Sequence, residues 1–300
     1  MVTLDVAARQ PGEGFLERLD RSRRAAQERL EARNAELRAA GIRCVACEDT
    51  GLIGGERFCL CSVGRDLARA ENRHRVQMLI TMIPVAIGIP QRYRDVNLDS
   101  FPDQDSPTLA QVRAWLDDAQ DPRKPGLLLY GGFGRGKTGL LVSIIRTLTL
   151  RHFVYYGEDG EPHVADSHQA FTNRLRFGDF AQFTTATGLL ESLRPRPGRD
   201  DDATFSRYLE CQYLAIDDLG AERLTPWGAD RLYEIVNERY NRMLPLIVSS
   251  NLSPDGLAGR INGQLGDRSG DRILERLADS CTFIAISDSE PNWRLTPIAS

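Results

Sequence analysis

The chain has 300 residues, 41% of them hydrophobic, enough for one α/β domain of about 170 to 200 residues and a smaller appendage. Its formal net charge of −4 excludes a globally basic nucleic-acid binder, so any contact with nucleic acid must come from local patches. No run of signal-peptide or membrane-spanning character stands out: Met1 to Gly14 has no apolar core, and Val76 to Ile89 covers 14 residues that include Gln77, Thr81 and Pro84. A cytoplasmic location without membrane contact is expected, and there the six cysteines suit metal ligation and core packing better than disulfides.

In chain order, Leu16, Leu30 and Leu37 share one seven-residue series and Leu19 and Ala26 another. This predicts an amphipathic helix over 13–40, stopped by Gly41. Arg23 and Arg33 interrupt the seam, so the helix packs on a partner or its own domain rather than extending a long coiled coil. Cys44-Val-Ala-Cys47 and Cys59-Leu-Cys61 follow, separated by an eleven-residue loop with three glycines. Two close pairs of thiolates suit tetrahedral Zn²⁺, which would supply folding free energy that so small a core cannot; His74 is a possible substitute ligand. Cys211 and Cys281 lie beside apolar strands and read as core. From Ser62 to Arg75 the spacing is again helical. Between Arg65 and Arg94 six arginines face only Asp66 and Glu71, a solvated face or a contact for nucleic acid or an acidic partner. The apolar run 76–89 is buried or partner-facing, and Ile89-Pro90 breaks the chain. We therefore expect an N-terminal helical and zinc module over 1–88 and a second domain over 89–300.

The second domain opens with a loop at Phe101 to Pro107 and a helix at Leu109 to Ala119. Gly126 to Tyr130 has strand character and runs into Gly131-Gly132-Phe133-Gly134-Arg135-Gly136-Lys137-Thr138-Gly139. This is a P-loop: glycines let successive N–H groups turn toward phosphate oxygens, and a helix N-terminus adds its partial positive charge. The helix follows, with Leu140, Leu141, Ile144, Ile145 and Leu148 at helical spacing. Of 38 basic residues only Lys124 and Lys137 are lysine, yet a lysine stands at the phosphate position, where it meets the β- and γ-phosphates of ATP; Thr138 is placed to ligand Mg²⁺. Phe153 to Val164 reads as a hairpin insertion. A strand at Phe180 to Thr185, a helix at Thr187 to Arg194 and a charged loop from Pro195 to Asp202 come next.

Gln212 to Ile216 is an apolar strand ending in Asp217-Asp218, at the carboxyl edge where an open α/β sheet binds ligands. Asp217 fits the Mg²⁺ carboxylate, and Asp218 can orient the attacking water. A helix beginning at Thr225-Pro226 carries Ala229, Leu232, Tyr233, Val236, Tyr240 and Met243 as an apolar face. The strand Leu244 to Ser250 delivers Asn251, either a turn residue or a hydrogen-bond donor to the γ-phosphate or the water. In the helix from Asp271 to Asp279, Arg272 and Arg276 project away from the apolar face. An exposed arginine pair is ordinarily a solvated face, but ring-forming ATPases place such an arginine against a neighbour's γ-phosphate. Cys281 to Ser287 is the last strand, and Arg294 lies in a short tail.

At these residues the chain resembles the bacterial replicative helicase loaders of the DnaC and DnaI type, and the related IstB-type transposition ATPases, within the AAA+ class. The resemblance rests on Cys44 to Ile53 with the CxC after it, Ile89-Pro-Gln-Arg-Tyr-Arg-Asp95, Ile216-Asp-Asp-Leu-Gly-Ala-Glu222, Asn237-Glu-Arg-Tyr240, Ser-Ser-Asn-Leu252, and Gly270-Asp-Arg-Ile273 with Arg276-Leu277. It implies a three-layer α/β/α P-loop ATPase with a parallel sheet of order 5-1-4-3-2. It also implies Asn251 as sensor 1, Arg276 as the arginine finger and Arg294, after Trp293, as sensor 2. In such proteins the N-terminal region grips a DnaB-type hexameric helicase, while the ATPase domain binds ATP and single-stranded DNA and self-associates through the ATP site. The hairpin near Phe153 to Val164 departs from the family pattern. Two alternatives remain: an ATPase assisting a transposase, disfavoured by the cysteine cluster, and a DNA-binding adaptor that uses ATP as an assembly switch with little turnover.

Overall fold

The computed structural model describes residues 13–118, 126–157, 160–164, 174–195 and 201–290. The chain divides into two compact units, Met1–Arg73 and His74–Ser300. The division falls earlier than the expected break at Ile89.

In the first unit, α1 (Glu13–Ala39) ends where Gly41 takes a left-handed conformation (φ 83°) and the N–H of Ile42 reaches back to the carbonyl of Leu37 at 3.0 Å. This is the helix stop expected there, since glycine pays no Cβ penalty at that φ. Strands β1 (Leu52–Ile53) and β2 (Arg57–Phe58) form a two-stranded antiparallel hairpin between the two cysteine pairs. Helix α2 (Ser62–Ala86) begins directly after it. Ile53, Phe58 and Leu60 are exposed, so apolar burial alone contributes little to this unit.

The second unit starts within α2. Leu79, Ile83 and Ile87 are fully buried, each contributing about 1.5–3 kcal/mol, so the apolar run 76–89 belongs to the core of the second unit. Gly88 closes the helix at φ 89°, and a Cβ there would stand 2.8 Å from the carbonyl oxygen of Phe183. The N–H of Phe183 in turn donates to the carbonyl of Ile87 at 2.7 Å.

The remaining elements are α3 (Pro107–Asp118), β3 (Gly126–Gly131), α4 (Lys137–Phe153), the antiparallel hairpin β4 (Val154–Tyr156) and β5 (Pro162–Val164), α5 (Arg174–Phe180), β6 (Ala181–Thr185), α6 (Ala186–Ser192), α7 (Asp201–Glu210), β7 (Tyr213–Asp217), α8 (Pro226–Asn241), β8 (Leu246–Ser250), α9 (Pro254–Leu265), α10 (Ser269–Ser280) and β9 (Cys281–Ile286). The hairpin forms where it was expected, whereas α5, α7 and α9 were not anticipated. Five strands make one parallel sheet in the order β6-β7-β8-β3-β9. Numbered among themselves along the chain, and read from the other edge, they run 5-1-4-3-2, as the resemblance implied. Leu127 and Leu129 fall in one buried cluster and Leu128 in another, the alternation that covers both faces of a parallel sheet with helices.

The buried face of α8 differs from the expected one. It runs through Ala229, Leu232, Ile235, Val236 and Arg239, while Tyr233 and Tyr240 are only partly buried and Met243 is 66% exposed. Arg239 is fully buried, and its guanidinium donates to the carbonyls of Tyr208, Cys211, Gln212 and Pro245 at 2.8–3.2 Å. It thereby ties the end of α7 to the starts of β7 and β8. Met243 occupies the left-handed position that follows the cap of α8 (φ 54°), and the N–H of Leu244 reaches the carbonyl of Arg239 at 2.9 Å. Glycine is the residue this turn favours. Met243→Gly is therefore expected to stabilise the protein by about 1 kcal/mol in denaturant melts; an unchanged or lower midpoint would show that Met243 carries no backbone strain.

Candidate functional site

The P-loop forms between β3 and α4. Gly131, Gly134 and Gly136 have φ of 150°, 76° and 79°, and a Cβ on Gly131 would stand 2.6 Å from the carbonyl oxygen of Ile286 in the neighbouring strand β9. Lys137 is 5% exposed, and its ammonium donates to the carbonyls of Gly131 (2.8 Å) and Gly132 (2.6 Å), which fold it back over the loop. Phe133, at the tip, is 75% exposed. Arg135 donates to the carbonyl of Glu290 and lies 3.7 Å from the carboxylate of Asp288. Glu290 is itself buried and accepts from the hydroxyls of Ser106 (2.9 Å) and Thr108, so the segment after β9 is fastened both to the loop and to the start of α3.

Asp217 ends β7 and is 4% exposed. Burial raises its pKa, with the charge of Asp218 adding to the rise, while hydrogen bonds from the Ser249 and Thr138 hydroxyls oppose it. The Thr138 hydroxyl and the Asp217 carboxylate thus lie near each other, a pair of hard oxygen donors that fits Mg²⁺. Asp218 has the left-handed φ of 56°. Its N–H donates to Ser249 Oγ at 3.0 Å, and its carboxylate accepts from the amide of Asn251 at 2.9 Å. Glu222, also buried, accepts from the N–H of Gly220 at 2.8 Å and closes the turn that holds Asp218.

One cleft of about 520 Å³ brings these groups together: Lys137, Thr138, Asp218 and Asn251 line it with the loop. Its other wall comes from residues 92–102, a segment to which the sequence assigned no site residue. Arg92, Tyr93, Val96, Phe101 and Pro102 line the same cleft, from the segment that holds two short 3₁₀ turns, Gln91–Tyr93 and Leu98–Ser100, and from the residues next to them. Gly139 makes room for this wall, since a Cβ there would stand 3.3 Å from the Phe101 ring. The available signal was the aromatic and apolar content of 93–101, but turns this short carry no periodicity.

Arg276 is not among the residues lining the cleft. Its Nε donates to Asn237 at 3.2 Å, and its guanidinium stacks 4.9 Å from the centre of the Tyr240 ring; Arg272 stacks likewise at 4.2 Å from Tyr233. The two arginines are held flat against α8 rather than left waving in solvent. Arg294 lies outside the described residues.

In the N-terminal unit the sulfur atoms of Cys44, Cys47, Cys59 and Cys61 all lie within 4.8 Å of one another. Cys44 pairs with Cys59 and Cys47 with Cys61 at 3.6 Å. That is far from a disulfide bond but close to the edge of roughly 3.8 Å of a tetrahedron of sulfurs about 2.3 Å from a zinc ion. The N–H of Gly64 donates to the Cys61 sulfur at 3.4 Å, and Gly64 can approach because it has no Cβ, which would stand 2.0 Å from the Cys59 carbonyl oxygen. His74 is not part of the cluster. Protein purified without added zinc is accordingly expected to contain one equivalent of zinc, lost in Cys44→Ser together with the fold of the first unit. Metal analysis with circular dichroism checks this, and a metal-free preparation with an ordered first unit would refute it.

No family model matches the chain. It is 29% identical over 296 residues to the phage-like element PBSX protein XkdC of Bacillus subtilis (strain 168), covering 92% of this chain and 95% of that protein. It is 28% identical over 161 residues to the replicative helicase loader DnaI of the same organism, a match covering 51% of this chain and 42% of that protein. A crystal structure of DnaI superposes with a TM-score of 0.51 at 20% identity, over 67% of this chain and 96% of that one, and shares its fold. Among the described residues no helix is long and apolar enough to cross a membrane. The resemblance to helicase loaders of the DnaC and DnaI type, carried by the motifs of the sequence, is thus borne out by the comparison with DnaI.

Proposed function

We propose that this protein is an ATP-dependent loader that delivers a DnaB-type replicative helicase to single-stranded DNA. The observation that carries the reading is the convergence of Lys137, Thr138, Asp218 and Asn251 on one cleft at the carboxyl edge of the parallel sheet, joined to a chain similar to a replicative helicase loader. The cleft has a polar lining from the loop suited to a triphosphate and an apolar wall at Tyr93, Val96 and Phe101 suited to a base. Lys137 meets the β- and γ-phosphates within the cradle of loop amides. Thr138 and Asp217 hold Mg²⁺, which when bound neutralises charge on the β- and γ-oxygens. Asp218, steadied by the Asn251 amide, orients the attacking water. Because Arg276 sits outside its own chain's cleft on a rigid mount, it acts on the nucleotide of a neighbouring copy. The cysteine unit, which contributes nothing to the cleft, is the helicase-binding module. DNA affinity is modest and salt-sensitive, in keeping with the net charge of −4.

Lys137→Ala removes a charged partner of the phosphates and is expected to weaken ATP binding roughly 10- to 100-fold. Arg276→Ala should bind ATP as the parent does but hydrolyse it poorly. Mixing these two inactive proteins should recover part of the ATPase activity; no recovery, with mixed assemblies confirmed, would place Arg276 in its own chain's site instead.

A chain beginning at His74 keeps the buried half of α2 and is expected to retain ATP binding while losing all binding to a DnaB-type hexamer in gel filtration. Retention of helicase binding by that truncation, or preference of the full-length chain for a transposase, would end the loader reading.

A further inference from the structure

Arg146 lies on α4, nine residues or two and a half turns from Lys137 and seven residues beyond Gly139, hence on the same helix face as Gly139. It is 9% exposed, and its guanidinium donates to the carbonyl of Val96 at 3.1 Å. Its Nε is buried and has no partner. The nearest compensation is the charge of Asp95, which opposes the pKa depression that burial imposes. Burying a guanidinium so incompletely satisfied costs free energy, so in exchange it fixes the one backbone group it does meet. That group belongs to the base-side wall of the cleft, where Val96 and Phe101 already rest on Gly139. One helix therefore presents its N-terminus to the loop and its flank to the apolar wall of the same cleft.

We infer that Arg146, acting through the Val96 carbonyl, is a positioning residue for the base-side wall, and that it sets the preference for a whole nucleotide over its triphosphate portion. The inference rests on the nucleotide reading above. Arg146 touches no ligand in this scheme, since it does not line the cleft. Its removal should cost base recognition and leave phosphate recognition intact.

The test is competition of ATP and of inorganic tripolyphosphate against a fluorescent ATP analogue, on the full chain, with thermal melts as the folding control. Arg146→Met, which keeps apolar volume and removes the donor, is expected to weaken ATP about tenfold, as for loss of one buried charged hydrogen bond, with tripolyphosphate unchanged. Arg146→Lys should fall between Arg146→Met and the parent, and it carries the test if Arg146→Met fails to fold. Equal ATP affinity in the folded variant, or an equal loss for both ligands, overturns the inference. A parent that binds neither ligand overturns the nucleotide reading and the inference together, whereas a parent that binds both beside an indistinguishable variant overturns the inference alone.

Discussion

Parallel pairing sets Tyr130 of β3 opposite Ser250 of β8, and Ile216 of β7 opposite Val248 of the same strand. Three central strands therefore stop at nearly one level, and whatever follows each of them is delivered to one edge: the phosphate loop after β3, the paired aspartates at the end of β7, and Asn251 after β8. A slip of one residue in either pairing would turn the side chains of a strand to the opposite face and take its last residue out of reach. Ser249 holds this register chemically as well, because its hydroxyl donates to the Asp217 carboxylate and accepts from the Asp218 N–H across the strand boundary. The left-handed backbone of Asp218 is the local cost of turning two consecutive carboxylates to different duties, one buried beside Thr138 and one facing the cleft.

The parts of the fold that could be read from sequence are those written in periodicity or in backbone chemistry. The apolar strand before Gly131, the glycines of the loop, the strand ending in Asp217 and the stop at Gly41 each impose a local conformation that needs no distant partner. What escaped depends on distant partners. Arg239 sits in a helix where an arginine normally reads as surface, and only the convergence of four carbonyls from other segments explains its burial. The same holds for the boundary between units: Pro90 looked like a natural break, but the contacts of Leu79, Ile83 and Ile87 with the second core decide where the compact unit begins.

The two units solve the problem of cohesion in different currencies. The larger one buries aliphatic side chains on both faces of its sheet, and buried polar groups such as Arg239 and Glu290 are held there by backbone carbonyls and hydroxyls. The smaller one exposes Phe58 and Leu60 and gathers four cysteine sulfurs within 4.8 Å of one another. Cysteines that close on one ion tie the order of a unit to metal supply and redox state, a dependence that aliphatic burial does not bring.

The join between Gly88 and Phe183 bears on solubility. Strand β6 is an edge of the sheet, and an edge offers unpaired amides to any passing strand. At Phe183 that amide is already spoken for by the Ile87 carbonyl, and the absence of a side chain at Gly88 lets the end of α2 lie close against the strand. The last turn of this helix thus acts as a guard rail along the sheet, and chains cut so as to lose it should aggregate by edge-to-edge pairing before any deficit in ligand binding is noticed.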